Sequence, residues 1–176
     1  MNKLCIIFFA FLILISSICF SFADSGNGYD AVEYLRIHIR ANSNMENDQA
    51  VKYQIKNAIV EFLAPKLAYA TDKESALLTV RNNLKGIAFT CERELLSQGF
   101  NYGASASLTK EKFPTRNYEG VTLPEGEYDA LIINLGDGAG DNWWCVVYPP
   151  LCFTECENVV YKSKILELIR RFKIKE

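Results

Sequence analysis

Leu35-Arg36-Ile37-His38-Ile39-Arg40 is the stretch on which the fold turns. Leu35, Ile37 and Ile39 alternate with Arg36, His38 and Arg40, the two-residue period of a strand that buries one face and leaves the other partly in water. The period then changes. Ser43 and Glu46 stand three apart ahead of Val51, Ile55, Ala58, Ile59 and Phe62, which recur at intervals of three and four. That spacing predicts a helix opened by a capping box and bent or stopped near Ala64-Pro65, where proline lacks a donor. Thr71 and Glu74 repeat the box before a cleaner stripe, Leu77, Val80, Leu84, Ile87, Cys91 and Leu95, which Gly99 ends. Cys91 accordingly faces the core.

Downstream the period returns to two. Tyr102, Ala104, Ala106 and Leu108 alternate with Gly103, Ser105 and Ser107, predicting a strand with one polar face. Pro114, Pro124 and Gly126 punctuate a long connection with a turn at Leu123-Pro124-Glu125-Gly126. Glu127 to Leu135 and Asn142 to Tyr148 are dense in Leu, Ile, Val, Trp and Tyr, and the Gly-rich linker between them predicts a hairpin. Leu131-Ile132-Ile133 and Cys145-Val146-Val147 are apolar on both faces, as in central strands. Ile165, Leu168, Ile169 and Phe172 mark a short last helix whose basic end, Arg170-Arg171-Phe172-Lys173, suits the helix dipole. Strand, two helices, three strands and a helix together predict a single α+β domain, a mixed or antiparallel sheet packed by helices.

Ahead of that domain, Met1-Asn2-Lys3 precedes an uncharged apolar run from Leu4 to Phe20, and Ser21-Phe22-Ala23 offers small residues where a signal peptidase requires them. Residues 1–23 therefore read as a secretory leader cleaved after Ala23, with an uncleaved anchor as the alternative. Cys19 follows the bulky Ile18, which does not suit lipid attachment. Residues 24–176 would form the mature domain, carrying 18 basic against 21 acidic residues. A net charge of −3 argues against nucleic acid as a partner. The remaining cysteines are Cys91, Cys145, Cys152 and Cys156, and outside the cytoplasm some of them can pair.

His38 is the sole histidine, so a cysteine hydrolase here would have to pair it with Cys145, and nothing local brings those two together. A partly exposed strand histidine, made less basic by Arg36 and Arg40, is the favoured reading. Cys152-Phe153-Thr154-Glu155-Cys156 lacks the four ligands of a structural zinc site, and neither metal nor cofactor is expected. A Cys145–Cys152 disulfide is preferred, because a turn at Tyr148-Pro149-Pro150 would fold the two together; an extended proline pair would hold them apart. The Gly136-to-Asn142 segment lacks the lysine of a phosphate loop and the carboxylates of a calcium loop, and reads as a plain connection. Trp143 and Trp144 point to opposite faces of one strand, so at least one belongs to the core. The other is a candidate anchor for protein or a platform for cell-wall glycan.

Several of these segments together resemble the stage II sporulation protein R family of endospore-forming bacteria. They are Leu35 to Ser43, Asp48-Gln49-Ala50 with Lys52, Phe113-Pro114-Thr115-Arg116-Asn117-Tyr118, Leu123 to Tyr128, and above all the block from Gly140 to Phe153. Tyr148 stands where such proteins often carry phenylalanine. The resemblance implies a non-enzymatic signal with no catalytic residues, secreted from the forespore into the space between the two sporulation membranes. It further implies a partner, the mother-cell membrane aspartic protease called stage II sporulation protein GA, which processes pro-sigma-E. Arg36, His38, Asn42, Ser43, Trp143, Trp144, Pro149 and Pro150 are the expected contact residues. Helix capping competes as a role for Ser43. No small-molecule substrate is expected.

Overall fold

The computed structural model describes residues 34–118, 121–153 and 164–170. The expected leader, Cys156 and the basic residues beyond Arg170 lie outside them. Strand β1 (Leu35–Arg40) leads to helices α1 (Glu46–Leu67) and α2 (Lys73–Ser97). Strands β2 (Ala104–Phe113), β3 (Arg116–Tyr118), β4 (Val121–Leu123), β5 (Gly126–Leu135) and β6 (Asn142–Tyr148) follow, then a 3-10 turn at Leu151–Phe153 and a helix α3 over 164–170. The α+β class and the element order agree with the sequence reading, with β3 and β4 added inside what read as a long connection. Among the described residues no helix is long and apolar enough to cross a membrane.

The main sheet runs β2-β5-β1-β6, with β1 parallel to β5 and antiparallel to β6, and β2 antiparallel to β5. This corrects the expected β5–β6 hairpin, because β1 lies between those strands. The linker crosses the end of β1 instead of turning tightly. Gly140 makes the crossing close: a side chain there would collide with the Ser43 carbonyl. The arrangement also makes β6 an edge strand rather than a central one.

Both helices pack on one sheet face. Val51, Ile55, Ile59, Leu63 and Leu67 of α1 and Ala76, Val80, Ile87, Cys91 and Leu95 of α2 join Leu35, Ile37, Ile39, Leu131, Ile133, Leu135, Cys145 and Val147 in one core. Burying a large aliphatic side chain contributes roughly 1.5–3 kcal/mol, so this core dominates the stability of the fold. Burial pushes the Cys91 thiol up to about 12, with Glu92 adding to the shift, so the thiol stays protonated and inert.

The helix ends correct two expectations, both about capping. Helix α1 is capped at Met45 without a side-chain bond, since Ser43 is occupied elsewhere. Helix α2 is boxed by Asp72 and Ser75, one residue beyond the Thr71/Glu74 pair. Pro65 sits inside α1, which continues to Leu67. A proline so near the end removes one hydrogen bond with little helix left beyond it. Gly99 closes α2 as expected: at φ +80° it lets Phe100 N–H reach the Leu95 carbonyl while its own N–H reaches Leu96.

Candidate functional site

The other sheet face is not the wet surface that alternation predicts. Arg36 is 0% exposed and His38 2%. Neighbouring strands flank β1 on both sides, and the β3–β4 hairpin, with Val121 and Leu123 buried, brings Tyr118 over Arg36. The Arg36 Cζ stands 4.1 Å from the Phe113 ring centroid, 4.8 Å from Tyr128 and 5.7 Å from Tyr118. Its Nη2 donates to the Tyr118 hydroxyl at 2.7 Å. Nε and Nη1 make no well-aligned hydrogen bond, although the Tyr128 hydroxyl lies near enough to favour the charge. Burial lowers the basicity of Arg36, and the two tyrosines oppose the shift, but a guanidinium stays charged in a protein. Each cation–π contact contributes up to about 2 kcal/mol when desolvated, so the three rings offset much of the roughly 3–5 kcal/mol that an uncompensated buried charge costs, but none of them carries a negative charge. Aromatic rings alone therefore leave Arg36 short of a counter-charge.

Two residues along, His38 lies on the same face. Its ring stacks on Trp144 at 3.6 Å and meets Phe113 edge-on at 6.1 Å. Nδ1 lies 3.2 Å from a Glu111 carboxylate oxygen, and Arg40 pairs with the other oxygen of Glu111. Burial lowers the His38 pKa; Asn142 and Glu111 oppose the shift and Arg40 adds to it. The ring is thus neutral at pH 7 and donates through Nδ1–H, leaving Nε2 as an acceptor. That Nε2 is buried and makes no well-aligned hydrogen bond, although the Asn142 side chain lies near enough to favour the protonated ring. The expectation of a partly exposed histidine is corrected: strand pairing and the Trp144 ring cover it.

At the end of β1 the polar residues tie the chain to itself. Asp48, buried on α1, accepts from Ser43 Oγ at 2.5 Å, Tyr102 Oη at 2.7 Å and Asn42 Nδ2 at 2.9 Å. Burial raises the Asp48 pKa, but these donors outweigh it and hold the carboxyl below its usual range. Lys52, also buried, donates to Gln49 at 2.6 Å and to the Asp141 carbonyl at 2.9 Å. Every amide from Gly136 to Asp141 is used within the chain, on Gly103, Asn42, Leu135, Asn42, Ala41 and Asn44 in turn. No N–H cradle remains for a phosphate. Among the described residues no three His, Cys, Asp or Glu stand together to hold a metal.

Trp143 and Trp144 are both half-exposed: Trp143 packs against the helix-side core and Trp144 on His38. They stand beside Asn42 and Ser43, because Ile39 pairs with Trp143 and the β5–β6 loop bonds to Asn42 and Asn44. Pro149 and Pro150 are buried at the opposite end of β6. The Tyr148–Pro149 bond is cis, and the turn that follows brings Cys152 against Cys145 with α-carbons 6.3 Å apart, within disulfide reach. Cys152 Sγ also accepts from Val146 N–H, shielding this edge strand. Cys145 pairs in register with Ile37 and shares its face, whereas His38 is on the other. The sheet separates the only nucleophile–base pair the sequence suggested.

Sequence reading missed Glu111, Phe113, Tyr118 and Tyr128 as partners of β1. A signal was present in β2, whose alternation runs on through Thr109 and Glu111 to Phe113 in register with β5. Tyr118 carried none, because a three-residue strand has no period to detect.

The family model described as stage II sporulation protein R matches residues 31–158. Stage II sporulation protein R of Bacillus subtilis (strain 168) is 36% identical over 124 residues, covering 70% of this chain and 55% of that protein. The matched stretch is thus little more than half of that relative's length. No solved structure matches. The family match takes in the whole sheet, both long helices and the Arg36 cage, and the chain belongs to the stage II sporulation protein R family.

Proposed function

We propose that this chain is a secreted signal of endospore formation. It leaves the forespore, enters the intermembrane space and activates the mother-cell membrane aspartic protease that processes pro-sigma-E. The observation that carries the reading is the family match over residues 31–158, joined to an apolar N-terminal run of the kind that directs export. Activation requires that the chain bind the active state of the protease more tightly than the inactive one. The contact surface is the end of the sheet where Trp143 and Trp144 are half-exposed beside Asn42 and Ser43, with Arg36 and His38 behind it. Pro149 and Pro150 shape the far end of β6.

The test is reconstitution. The purified chain, the membrane protease and pro-sigma-E are combined, and cleavage is followed with and without the chain. Cleavage only in its presence is expected, with Trp144→Ala folded but inactive. Equal cleavage without the chain would end the proposal.

A further inference from the structure

The only described buried side-chain atoms that make no well-aligned hydrogen bond are Arg36 Nε, Arg36 Nη1 and His38 Nε2. All three sit on one face of one strand, two residues apart. A fold that satisfies every loop amide from Gly136 to Asp141 leaves its unpaired buried groups in one place. Buried polar groups without partners are rare and mark strain or function.

We infer that Arg36 is the receptor for a carboxylate, and that the β3–β4 hairpin is the strap that covers it. A guanidinium binds a carboxylate through two parallel N–H groups, and Nη2 belongs to both edges that can do this, with Nε on one and Nη1 on the other. Tyr118 occupies Nη2. Its neutral hydroxyl stands where one oxygen of the anion would lie, accepting one bond and supplying no charge. Withdrawing Tyr118 frees the Nη2 hydrogen it holds and opens that edge to a two-point contact.

The strap is suited to withdrawal. Strands β3 and β4 pair only with each other, over three residues each, and do not join the main sheet. Lifting it exposes Val121 and Leu123 but breaks no hydrogen bond of the four-stranded sheet, and a two-stranded hairpin has little stability of its own to hold it down. The hairpin rather than the neighbouring cleft is the way in. That cleft, of about 460 Å³, shares Phe113 with the cage, but its two carboxylates, Glu125 and Glu127, outnumber its one cation, Lys112, which disfavours an anion. The site favours carboxylate over phosphate because one buried cation matches one negative charge, and a second would lie unpaired among aromatic rings. His38 Nε2 is placed to accept from an N–H or O–H of the same ligand. An Asp or Glu side chain, or a chain terminus, provides both features. On the signalling reading above, that carboxylate belongs to the protease segment on which this chain docks.

The probe is sodium acetate, titrated against sodium chloride and inorganic phosphate at matched ionic strength and pH 7. The purified full chain is kept in detergent if residues 1–23 remain attached. The readout is the NMR signal of Arg36 Nε–H. Acetate is expected to shift it in a saturable manner and chloride to leave it in place. Tyr118→Phe, which keeps the ring and removes the plug, should bind acetate about tenfold more tightly, the equivalent of one charge-assisted hydrogen bond. Arg36→Lys keeps the charge but lacks the fork and should lose the saturable response. If Arg36→Lys does not fold, Tyr118→Phe alone decides. An Nε–H signal unmoved by acetate in both wild type and Tyr118→Phe overturns the site, as does phosphate binding as tightly as acetate. No arm contains the protease, so the two readings fail separately. An acetate response in a chain that leaves the protease idle sinks the signalling reading; an activating chain with a silent Arg36 sinks the site.

Discussion

The two faces of the sheet are built from the same strands and buried to a similar depth, yet by opposite chemistry. On the helix side Leu35, Ile37 and Ile39 meet α1 and α2 in a core of aliphatic side chains. On the hairpin side Arg36 and His38, one residue out of phase, meet Phe113, Tyr118, Tyr128 and Trp144. The first face holds the fold together, because every group it buries gains by leaving water. The second buries a charge and two kinds of unpaired nitrogen, which costs stability, so its composition answers to something other than folding. If that division is right, equally buried neighbours on β1 will differ in what they do when removed.

Ile37→Ala tests the helix face and should give the largest effect. It removes buried methylenes from a close-packed site and is expected to cost about 2–5 kcal/mol. The loss should appear in urea unfolding as a lower midpoint with an unchanged slope. A cost below about 1 kcal/mol would mean that the core can collapse around the gap, and the contrast between the faces would weaken.

The Cys145–Cys152 contact ties the helix-face strand β6 to the turn after it. The sequence separation is seven residues, and closing so short a loop in the unfolded chain corresponds to about 2.5 kcal/mol. Cys152→Ser should lower stability by about that amount under oxidising conditions and have no effect once reductant is added to both proteins. Equal midpoints without reductant would show that the two thiols do not pair.

Arg36→Met is the sharpest comparison with Ile37→Ala. Methionine fills a similar space among the rings and removes the buried charge, so stability should stay within about 1 kcal/mol of wild type even though Arg36 is the more voluminous side chain. Loss of protease activation with stability retained would assign Arg36 to function. A loss as large as that of Ile37→Ala would assign it to the core.

The contrast also explains what could be read from the sequence. The alternation of β1 and the stripes of α1 and α2 are local periods, and they located the helix face through Val51, Ile55, Ile59, Val80, Ile87, Cys91 and Leu95, while Leu63, Leu67 and Ala76 were missed and Ala58, Phe62, Leu77 and Leu84 are only partly buried. Strand order is not local. Glu127–Leu135 and Asn142–Tyr148 looked like hairpin partners, but hairpin loops usually run two to five residues, and the intervening Gly136–Asp141 segment is six. With strands about 4.8 Å apart, that extra length suits a step across β1. The cage was harder still. Arg36 reads as a wet residue in every local window, and only the return of Tyr118 from a hairpin of three-residue strands shows otherwise. The capping boxes failed for a related reason: Ser43 bonds Asp48 within a tertiary cluster that includes Tyr102, far along the chain, and side chains with several possible partners take the one tertiary contact favours.

The smallest expected effect is a slope rather than a loss. His38 titrates below its ordinary value because burial disfavours the charged ring. An unfolded chain therefore takes up a proton near pH 6.5 that the folded chain does not yet hold. The His38 contribution is intact above that pH and is lost as pH falls from there toward the depressed folded value. The slope from one group cannot exceed one proton, about 1.4 kcal/mol per pH unit. In urea unfolding at stepped pH, His38→Gln should flatten the decline just below pH 6.5 and leave the steeper loss at lower pH, where Asp48 must be protonated and surrenders its three donors. A decline just below pH 6.5 that survives His38→Gln would place the titrating group elsewhere, and the hairpin face would lose its claim to hold a neutral, acceptor-bearing imidazole beside Arg36.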